Sequence, residues 1–257
     1  MLLVVDVGNT HTAAGVYSGR QLLHEWRLST ERDATVDELA GRHDQILRLR
    51  GGSLADIDHV TVCSVVPSLT AAYADLSVKY IDTDALVLGP DVRTGITIRI
   101  DTPAELGPDR LANAVAAWQR YGTACVVVDF GTATTFDAIS ATGEYLGGAI
   151  APGLETSLEA LSDRAARLLT VDVRPPESVI GRSTVQSMQS GLVYGTVGQV
   201  DGIVGRLRAE LGDPVAVVAT GGLGSLITPL SETIAAHDPQ LTLEGLQRVH
   251  EMNGGER

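Results

Sequence analysis

Cysteine is scarce in this sequence: the 257 residues include only two, Cys63 and Cys125. Each lies inside an apolar run, where a buried and reduced thiol is the ordinary outcome. The spacing of two isolated cysteines is not typical of a zinc site and cannot form a disulfide framework. Both of those structural classes are therefore excluded.

Basic residues are also few: 19 lysines and arginines stand against 32 aspartates and glutamates, which gives a formal net charge of −13. The averaged field of such a protein repels phosphate backbones and anionic lipids. No nucleic-acid partner is therefore expected. Any anionic ligand must be held by groups that are gathered locally.

Long apolar runs and a basic N-terminal segment are missing as well. Met1 leads directly into Leu2–Val5 and then Asp6, and no apolar stretch is long enough to span a bilayer. We therefore expect a cytoplasmic protein without membrane association. Its 44% hydrophobic content can form one large core or two smaller ones.

The first half of the sequence predicts a strand, a tight turn and two more strands. Leu2–Val5 is a short β-branched run closed by Asp6 and Gly8, which is typical of a buried strand that ends in a turn. The further elements predicted here are strands at Thr12–Tyr17, Gln21–Leu28 and Val60–Val66, and helices at Thr35–Arg50 and Ser68–Lys79, the latter capped by Ser68.

The second half starts again with the same order of elements. Cys125–Val128 is an apolar strand closed by Asp129, and Gly131 follows in the turn. Two further strands are predicted at Thr134–Ile139 and Glu144–Ile150. This repetition indicates an internal duplication of a strand-strand-strand-helix unit. The remaining predicted elements are helices at Leu154–Leu169 and Leu241–Met252, one long helix or two within Thr184–Leu211, and a strand at Val215–Ala219.

A mixed α/β protein with two related halves follows from this pattern. We place the first half at residues 1–115 and the second at residues 116–257. The segment Leu88–Leu106 is rich in Gly, Pro and Asp, so it is the predicted crossing between the halves.

Both turns place a carboxylate at the end of a buried strand, beside backbone N–H groups that can hold metal and phosphate. Asp and Gly are also common in ordinary turns, but two such turns in matching positions favour a paired site. Asp6 and Asp129 can then orient Mg²⁺ on the phosphates of a nucleotide. The residues predicted to bind ATP or its phosphates here are Asp6, Val7, Gly8, Asn9, Thr10, His11, Thr12, Ala13, Gly131 and Thr132.

A third element follows the strand Val215–Ala219, where Gly221 and Gly222 lie in a glycine-rich turn. Missing side chains allow a flat ring or a phosphate to lie on the backbone, although such turns have many uses. In this order the three elements resemble the phosphate 1, phosphate 2 and adenosine motifs of the acetate-kinase, hexokinase and actin superfamily. The resemblance implies two ribonuclease-H-like halves, each with a mixed five-stranded sheet, and a cleft between them that binds ATP.

The segment Gly107-Pro108-Asp109-Arg110 resembles the glycine-x-aspartate-arginine signature of type III pantothenate kinases. Further matches are Thr94-Gly95, Gly147–Gly153, Gly181–Thr184 and Leu241–Leu246, so the resemblance covers essentially the whole chain. It implies that Asp109 is the general base for the primary hydroxyl of pantothenate, while Gly107, Pro108 and Arg110 hold the substrate. From the residues alone, Asp109 can equally cap the helix and Arg110 can form a surface ion pair.

The resemblance also implies roles in binding cations and substrate. Asp129 would bind a monovalent cation such as K⁺ or NH₄⁺, and Thr184 would contact the substrate across a dimer interface. Thr184 is equally well explained as a helix N-cap. Ile100 stands where many members have a tyrosine that closes over pantothenate, so the contact there must be apolar or come from elsewhere. Because the turns contain no Walker-type lysine, we expect both Mg²⁺ and the monovalent cation to be required.

The resemblance implies ATP-dependent phosphorylation of pantothenate to 4′-phosphopantothenate, the first step of coenzyme A synthesis. The family habit implies a homodimer, for which Ser157–Leu169 and Thr184–Tyr194 offer apolar helical faces. One alternative is a non-catalytic relative that acts as a regulator. Another, left open by Ile100, is a kinase or phosphatase for a different small hydroxyl compound. His11 can approach phosphate, but a turn histidine without a second ligand is more often solvated.

Overall fold

The computed structural model of the protein describes residues 1–89, 91–164, 171–212 and 214–254. The strands in these ranges are β1 (Leu2–Val7), β2 (His11–Ser18), β3 (Gln21–Ser29), β4 (His59–Ser64), β5 (Leu86–Val87), β6 (Thr97–Ile98), β7 (Ala124–Phe130), β8 (Ala133–Ile139), β9 (Glu144–Pro152), β10 (Val215–Gly221) and β11 (Ala236–His237). The α-helices are α1 (Val36–Leu49), α2 (Pro67–Leu76), α3 (Pro108–Tyr121), α4 (Leu154–Arg164), α5 (Thr184–Leu211), α6 (Gly224–Ile227) and α7 (Leu241–Met252).

The chain forms two compact units. The first contains Met1–Ile96, Asp101–Ala116 and the described residues from Leu241 onward, and the second contains Thr97–Ile100 and Ala117–Gln240. This grouping differs from the division that we place between residues 115 and 116, because α7 belongs with the first unit and β6 with the second. The reason is packing: α7 contacts β1, β2 and β4, while β6 is hydrogen-bonded to β9.

The first unit contains a five-stranded sheet of order β3-β2-β1-β4-β5. Strand β1 is antiparallel to β2 and parallel to β4, and alternate side chains point to opposite faces. Val5 and Val7 join the apolar core that α1 and α2 complete. Asp6 therefore points to the other face, where the Thr61 hydroxyl contacts Nδ1 of His250 on α7 at 3.3 Å.

Local sequence explains where the first two helices begin. Thr35 and Glu38 form a reciprocal capping box, in which the Glu38 N–H donates to Thr35 Oγ1 at 3.3 Å and the Thr35 N–H donates to Glu38 Oε2 at 2.8 Å. Helix α2 begins at Pro67, whose fixed φ suits a first helical position. The prediction that Ser68 caps this helix is wrong, because Ser68 lies inside it and its hydroxyl donates to the Arg32 carbonyl at 3.0 Å.

The second unit repeats the arrangement of the first. Its sheet has the order β11-β10-β7-β8-β9-β6, in which β7 is antiparallel to β8 and parallel to β10. The predicted α/β fold with two related mixed sheets is confirmed. The second sheet has six strands rather than the predicted five, because the short β6 adds to its edge beside β9.

The helices of the second unit agree with the predicted pattern over the described residues. Helix α5 is one helix of 28 residues, and Ser183 Oγ caps it by accepting the N–H of Gln186 at 3.2 Å. The helix predicted at Leu154–Leu169 is present as α4 up to Arg164, and residues 165–170 lie outside the described residues. Within the described ranges, none of the helices has the length and apolar character needed to cross a bilayer.

Candidate functional site

The turn after β1 is built around Gly8. The Gly8 N–H donates to the His11 carbonyl oxygen at 3.0 Å, and a Cβ at Gly8 would lie 2.9 Å from the same oxygen. Glycine is needed for so close an approach of backbone to backbone. The structure places the predicted phosphate-binding residues in one hairpin, with Asp6 and Val7 at the end of β1, Gly8, Asn9 and Thr10 in the turn, and His11, Thr12 and Ala13 at the start of β2.

Thr30, which follows β3, anchors this hairpin. Its hydroxyl donates to the Gly8 carbonyl at 2.8 Å and lies 3.0 Å from the hydroxyl of Thr12. Its backbone N–H donates to the Thr10 carbonyl at 2.9 Å. These bonds satisfy the Gly8 and Thr10 carbonyl groups from one side of the turn.

The outer residues of the hairpin are exposed. Asn9 Oδ1 accepts a hydrogen bond from the Arg32 guanidinium at 2.9 Å. His11 lies at the exposed first position of β2. This position leaves open both of its interpretations, phosphate contact and solvated bystander.

Asp6 is the acid of this turn, and the pKa of its carboxyl group is strongly raised. Its Oδ1 accepts the Cys63 thiol proton, with Sγ and Oδ1 3.1 Å apart. The pKa of Asp6 is raised to about 7, mainly by burial and also by the negative charge of Asp109. The Cys63 hydrogen bond and Arg27 act in the opposite direction. Asp6 and Asp109 are therefore close enough to interact electrostatically. A bound cation would relieve both causes of the raised pKa.

Asp109 is the second residue of α3. Its Oδ1 accepts the backbone N–H of Arg110 at 2.9 Å. The interpretation of Asp109 as the helix cap is wrong, because Asp109 lies inside the helix. A Cβ at Gly107 would lie 2.5 Å from the same Oδ1. The glycine of the signature thus leaves room for the carboxylate, and Pro108 occupies the first helical position that proline favours.

Helix α3 is fixed by a close contact with α7. The Thr242 hydroxyl donates to Asn113 Oδ1 at 2.8 Å. A Cβ at Gly245 would collide with the Ala112 backbone, which shows how closely the two helices approach. Because α7 also packs on β1 and β4, it holds α3 and its Asp109 in place relative to the first sheet.

The turn after β7 carries the second predicted set. Asp129 lies at the end of β7, and the Gly131 N–H donates to the Ala133 carbonyl at 3.1 Å. The Thr132 carbonyl accepts the Gly153 N–H at 3.0 Å and the Thr156 hydroxyl at 2.8 Å. The start of α4 therefore supports the Gly131–Thr132 turn from one side.

Glycines surround the Asp129 carboxylate. A Cβ at Gly221, where φ is +85°, would lie 2.6 Å from Asp129 Oδ1 and 2.5 Å from the Phe130 carbonyl oxygen. A Cβ at Gly131 would lie 3.9 Å from the same Oδ1. We call the Asp129 carboxylate, Phe130 carbonyl, Gly131 and Gly221 the glycine cradle. Carboxylate and carbonyl oxygens are the ligands that hard cations prefer.

The last two predicted nucleotide and substrate positions lie beside this cradle or on α5. Gly222 lies in the exposed turn after β10. Thr184 is the exposed first residue of α5, and Ser183 is its cap, so the interpretation of Thr184 as the N-cap is wrong. A substrate contact by Thr184 stays a prediction.

Ile100 belongs to the second unit, whereas Gly107, Pro108, Asp109 and Arg110 belong to the first. Its Cγ2 lies 3.5 Å from the position of a Cβ at Gly147, where φ is +114°. Ile100 therefore packs on the bare backbone of β9. The predicted substrate residues are divided between the two units.

The described residues, 1–89, 91–164, 171–212 and 214–254, include no group of three or more His, Cys, Asp or Glu residues that could hold a metal ion. A magnesium ion that binds with nucleotide usually takes one or two protein carboxylates and completes its shell with phosphate oxygens and water. Asp6 has the oxygen donors and the unfavourable local charge that suit such an ion.

The sequence predicts Cys63 only as a buried thiol. Its contact with Asp6 has no local sequence signal. The contact depends on the parallel register of β1 and β4, which places Asp6 opposite Cys63. The two residues are 57 positions apart, and local patterns do not encode the register of strands so distant. Gly153, which appears in a family motif, also gains a role in the second turn through its bond to Thr132.

Comparison with known proteins identifies close relatives in sequence. The sequence profile of the family described as type III pantothenate kinase matches residues 2–206. A Geobacter sulfurreducens protein named type III pantothenate kinase is 50% identical over 253 residues, which cover 98% of this chain and 99% of the relative.

Solved structures share the fold at much lower identity. A Campylobacter jejuni protein named as a Baf family transcriptional activator is 20% identical, with a TM-score of 0.61 and coverage of 99% of this chain and 100% of that chain. A ROK family protein from Streptococcus pneumoniae is 11% identical, with a TM-score of 0.55 and coverage of 99% of each chain. At these identities the structures support the α/β fold alone.

Proposed function

This chain belongs to the type III pantothenate kinase family, and on that premise we propose how its residues carry out the reaction. The chain transfers the γ-phosphoryl group of ATP to the 4′-hydroxyl of pantothenate, the first step of coenzyme A synthesis. The residue assignment is supported by the electrostatic influence of Asp109 on Asp6 within the first unit, which helps to raise the pKa of Asp6.

Asp109 is proposed as the general base. Its carboxylate is held at the start of α3, where Gly107 leaves it room and the Arg110 N–H fixes one oxygen. A carboxylate in this position can accept the hydroxyl proton of pantothenate as the bond to phosphorus forms. Arg110 is proposed to pair with the pantothenate carboxylate, a geometry that guanidinium groups favour. Pro108 and Ile100 are proposed as further substrate contacts.

Asp6 is proposed to receive Mg²⁺ together with the ATP phosphates. A Mg²⁺ ion held there would neutralise negative charge on the phosphates during phosphoryl transfer. The backbone N–H groups of the first hairpin and of the Gly131–Thr132 turn are proposed to contact the phosphates. Gly221 and Gly222 are proposed to lie beside the adenosine of ATP.

Asp129 is proposed to bind a monovalent cation, K⁺ or NH₄⁺. The support is the glycine cradle, where the Gly221 backbone approaches the Asp129 carboxylate and the Phe130 carbonyl too closely to leave space for a Cβ. A positive ion there would offset phosphate charge in a protein whose net charge is −13 and whose turns contain no lysine.

A homodimer formed through the second unit is also proposed. Ile180 and Ile150 are 80% and 65% exposed, and burial of such side chains between two copies would be favourable. Thr184 lies near Ile180 in sequence, which is consistent with a substrate contact from a partner copy. The mass of Ile180→Asp in solution, compared with Leu49→Asp in the first unit, tests this: only the former should give monomers.

The proposed activity is tested by ADP release with pantothenate and with a panel of other small hydroxyl compounds. Mass spectrometry should identify 4′-phosphopantothenate as the preferred product. Faster turnover of another acceptor would show a different kinase. Absence of turnover with every acceptor would favour a regulator. We propose that the enzyme acts in the cytoplasm, where ATP is supplied and its free thiols, Cys63 and Cys125, stay reduced.

A further inference from the structure

Cys63 is a buried thiol that the reaction outlined above does not use. It lies on β4 directly opposite Asp6 on the parallel neighbour β1. Its side chain is fully buried, and Sγ lies 3.1 Å from Asp6 Oδ1. A thiol has one proton to donate, and an ionised carboxylate is the strongest acceptor that it can find in an apolar setting.

The orientation of the Asp6 carboxylate depends on the groups that face it. Asp6 and Cys63 share the sheet face that α7 covers, as the contact between Thr61 and His250 shows. The charge of Asp109 repels Asp6 on this face. A donor at the Cys63 position therefore fixes the carboxylate against a neighbour that pushes it away.

We propose that Cys63 is a positioning residue of the phosphoryl-transfer site, whose thiol holds the Asp6 carboxylate in the orientation that receives the metal–ATP complex. This inference rests on the proposed function of Asp6. The thiol acts as a hydrogen-bond donor and needs no change of oxidation state. Its exchange for another small donor should therefore preserve function, whereas an apolar side chain of the same size should not.

The other cysteine provides a matched control. Cys125 is also fully buried, and it lies on β7 of the second sheet. Its Sγ donates to backbone carbonyl groups, at 3.1 Å from Thr123 and 3.7 Å from Ala117. The same substitutions at Cys125 therefore remove a buried thiol from a strand without removing a donor to a carboxylate.

The experiment compares Cys63→Ser, Cys63→Val and Cys63→Ala with the same three changes at Cys125. Calorimetry measures binding of a non-hydrolysable ATP analogue with MgCl₂, and a second assay measures kcat and KM for pantothenate. We expect Cys63→Val and Cys63→Ala to weaken analogue binding about tenfold and to lower kcat by a similar factor, because a hydrogen bond to a charged group is lost. KM for pantothenate should change little.

Cys63→Ser should stay within about threefold of the wild type in both assays, since it keeps a donor in reach of Asp6. The Cys125 variants should bind the analogue as the wild type does. Equal binding and kcat in wild type and Cys63→Val would overturn the inference. So would equal losses in Cys63→Ser and Cys63→Val with equal falls in Tm, since that pattern shows packing alone.

Failure of the proposed function can be distinguished from failure of this inference. A wild-type protein that binds the analogue but does not phosphorylate pantothenate would refute the proposed acceptor, while the binding comparison would still test Cys63. A wild-type protein that binds no analogue in the presence of MgCl₂ would overturn both, because no metal–ATP site would remain for Cys63 to organise.

Discussion

The two sheets have the same strand arrangement but treat their strand-end aspartates differently. In the first, Asp6 lies opposite Cys63 on the parallel neighbour and is bonded to its thiol. In the second, Asp129 lies opposite Thr220, and Gly221 follows on the same strand. One carboxylate is thus approached by a side-chain donor, and the other by bare backbone.

The repeated strand arrangement places an aspartate at the end of the central strand in each sheet. The residues around each aspartate then determine its chemical properties. The Asp6 carboxylate faces burial and a second acid, so its pKa is raised to about 7, and bound Mg²⁺ would stabilise its ionised form. The Asp129 carboxylate lies in the glycine cradle, where the Gly221 backbone approaches it closely. These surroundings underlie our proposal that Asp6 receives Mg²⁺ with ATP and that Asp129 binds a monovalent cation.

The largest expected effect falls on the first unit. Asp109→Asn removes the proposed base without changing the size of the side chain, so kcat should fall about 1000-fold, within the range of general-base catalysis. Binding of the ATP analogue should be kept or strengthened, because the repulsion on Asp6 is removed. The exposed Asp91→Asn in the same unit serves as the control. A kcat for Asp109→Asn within a few fold of the wild type would eliminate Asp109 as the base.

The next effect tests the cradle of the second unit. Gly221→Ala places a Cβ against the Asp129 carboxylate and the Phe130 carbonyl, so kcat/KM for ATP should fall about 100-fold, as expected when a site is displaced by about an ångström. Gly212→Ala is the matched control, because φ there is +75° and nothing lies within 4 Å of the added Cβ.

Gly212→Ala should cost about 1 kcal/mol of unfolding free energy for the left-handed backbone and leave activity unchanged. The comparison separates backbone strain from steric filling of the site. Similar kinetics for the two variants would show that the close approach at Gly221 is not needed for function.

A third effect concerns stability and pH in the first unit. The pKa of Asp6 is about 7 in the folded protein, compared with 3.8 for an unperturbed aspartate, the value taken for the unfolded chain. Between these values the folded state keeps a proton that the unfolded state has lost, so the free energy of unfolding falls as pH rises. From pH 5 to 8, the ligand-free wild type should lose about 2 kcal/mol more than Asp6→Asn.

Urea unfolding of both proteins at several pH values measures this difference, with Asp91→Asn as an exposed control. Addition of the ATP analogue and MgCl₂ should restore stability at pH 8 in the wild type more than in Asp6→Asn. Parallel pH curves for wild type and Asp6→Asn would show that Asp6 titrates normally and that the two acids of the first unit do not interact.

Both central strands and the turns after them could be predicted from the sequence, because they depend on local patterns. The run Leu2–Val5 and its repeat at Cys125–Val128 predict both central strands, and the acid and glycine after each predict both turns. Glycine spacing also points to Gly107 and Gly221, which prove to be sites of close approach to a carboxylate. Such features are set by a few consecutive residues.

Features that depend on distant pairing were not predictable. The contact of Cys63 with Asp6 requires the register of β1 and β4, and the packing of α7 with the first sheet joins the chain's end to its beginning. The cap of α2 was mispredicted for a different reason. Pro67 satisfies the first helical position and leaves Ser68 to bond elsewhere, so a good capping residue was present but not used.

The smallest expected effect tests whether the two aspartates bind different ions. Asp129→Asn keeps an oxygen in the cradle but removes its charge, so the K⁺ concentration for half-maximal activity should rise about tenfold, since contacts to charged groups are roughly 1.5 kcal/mol stronger. The MgCl₂ requirement should stay unchanged. Asp163→Asn, an exposed aspartate of the same unit, should match the wild type in both titrations. Equal activity of the wild type in sodium-only and potassium buffers would remove the cation from the cradle. A shifted MgCl₂ requirement in Asp129→Asn would contradict the assignment of the monovalent cation to Asp129.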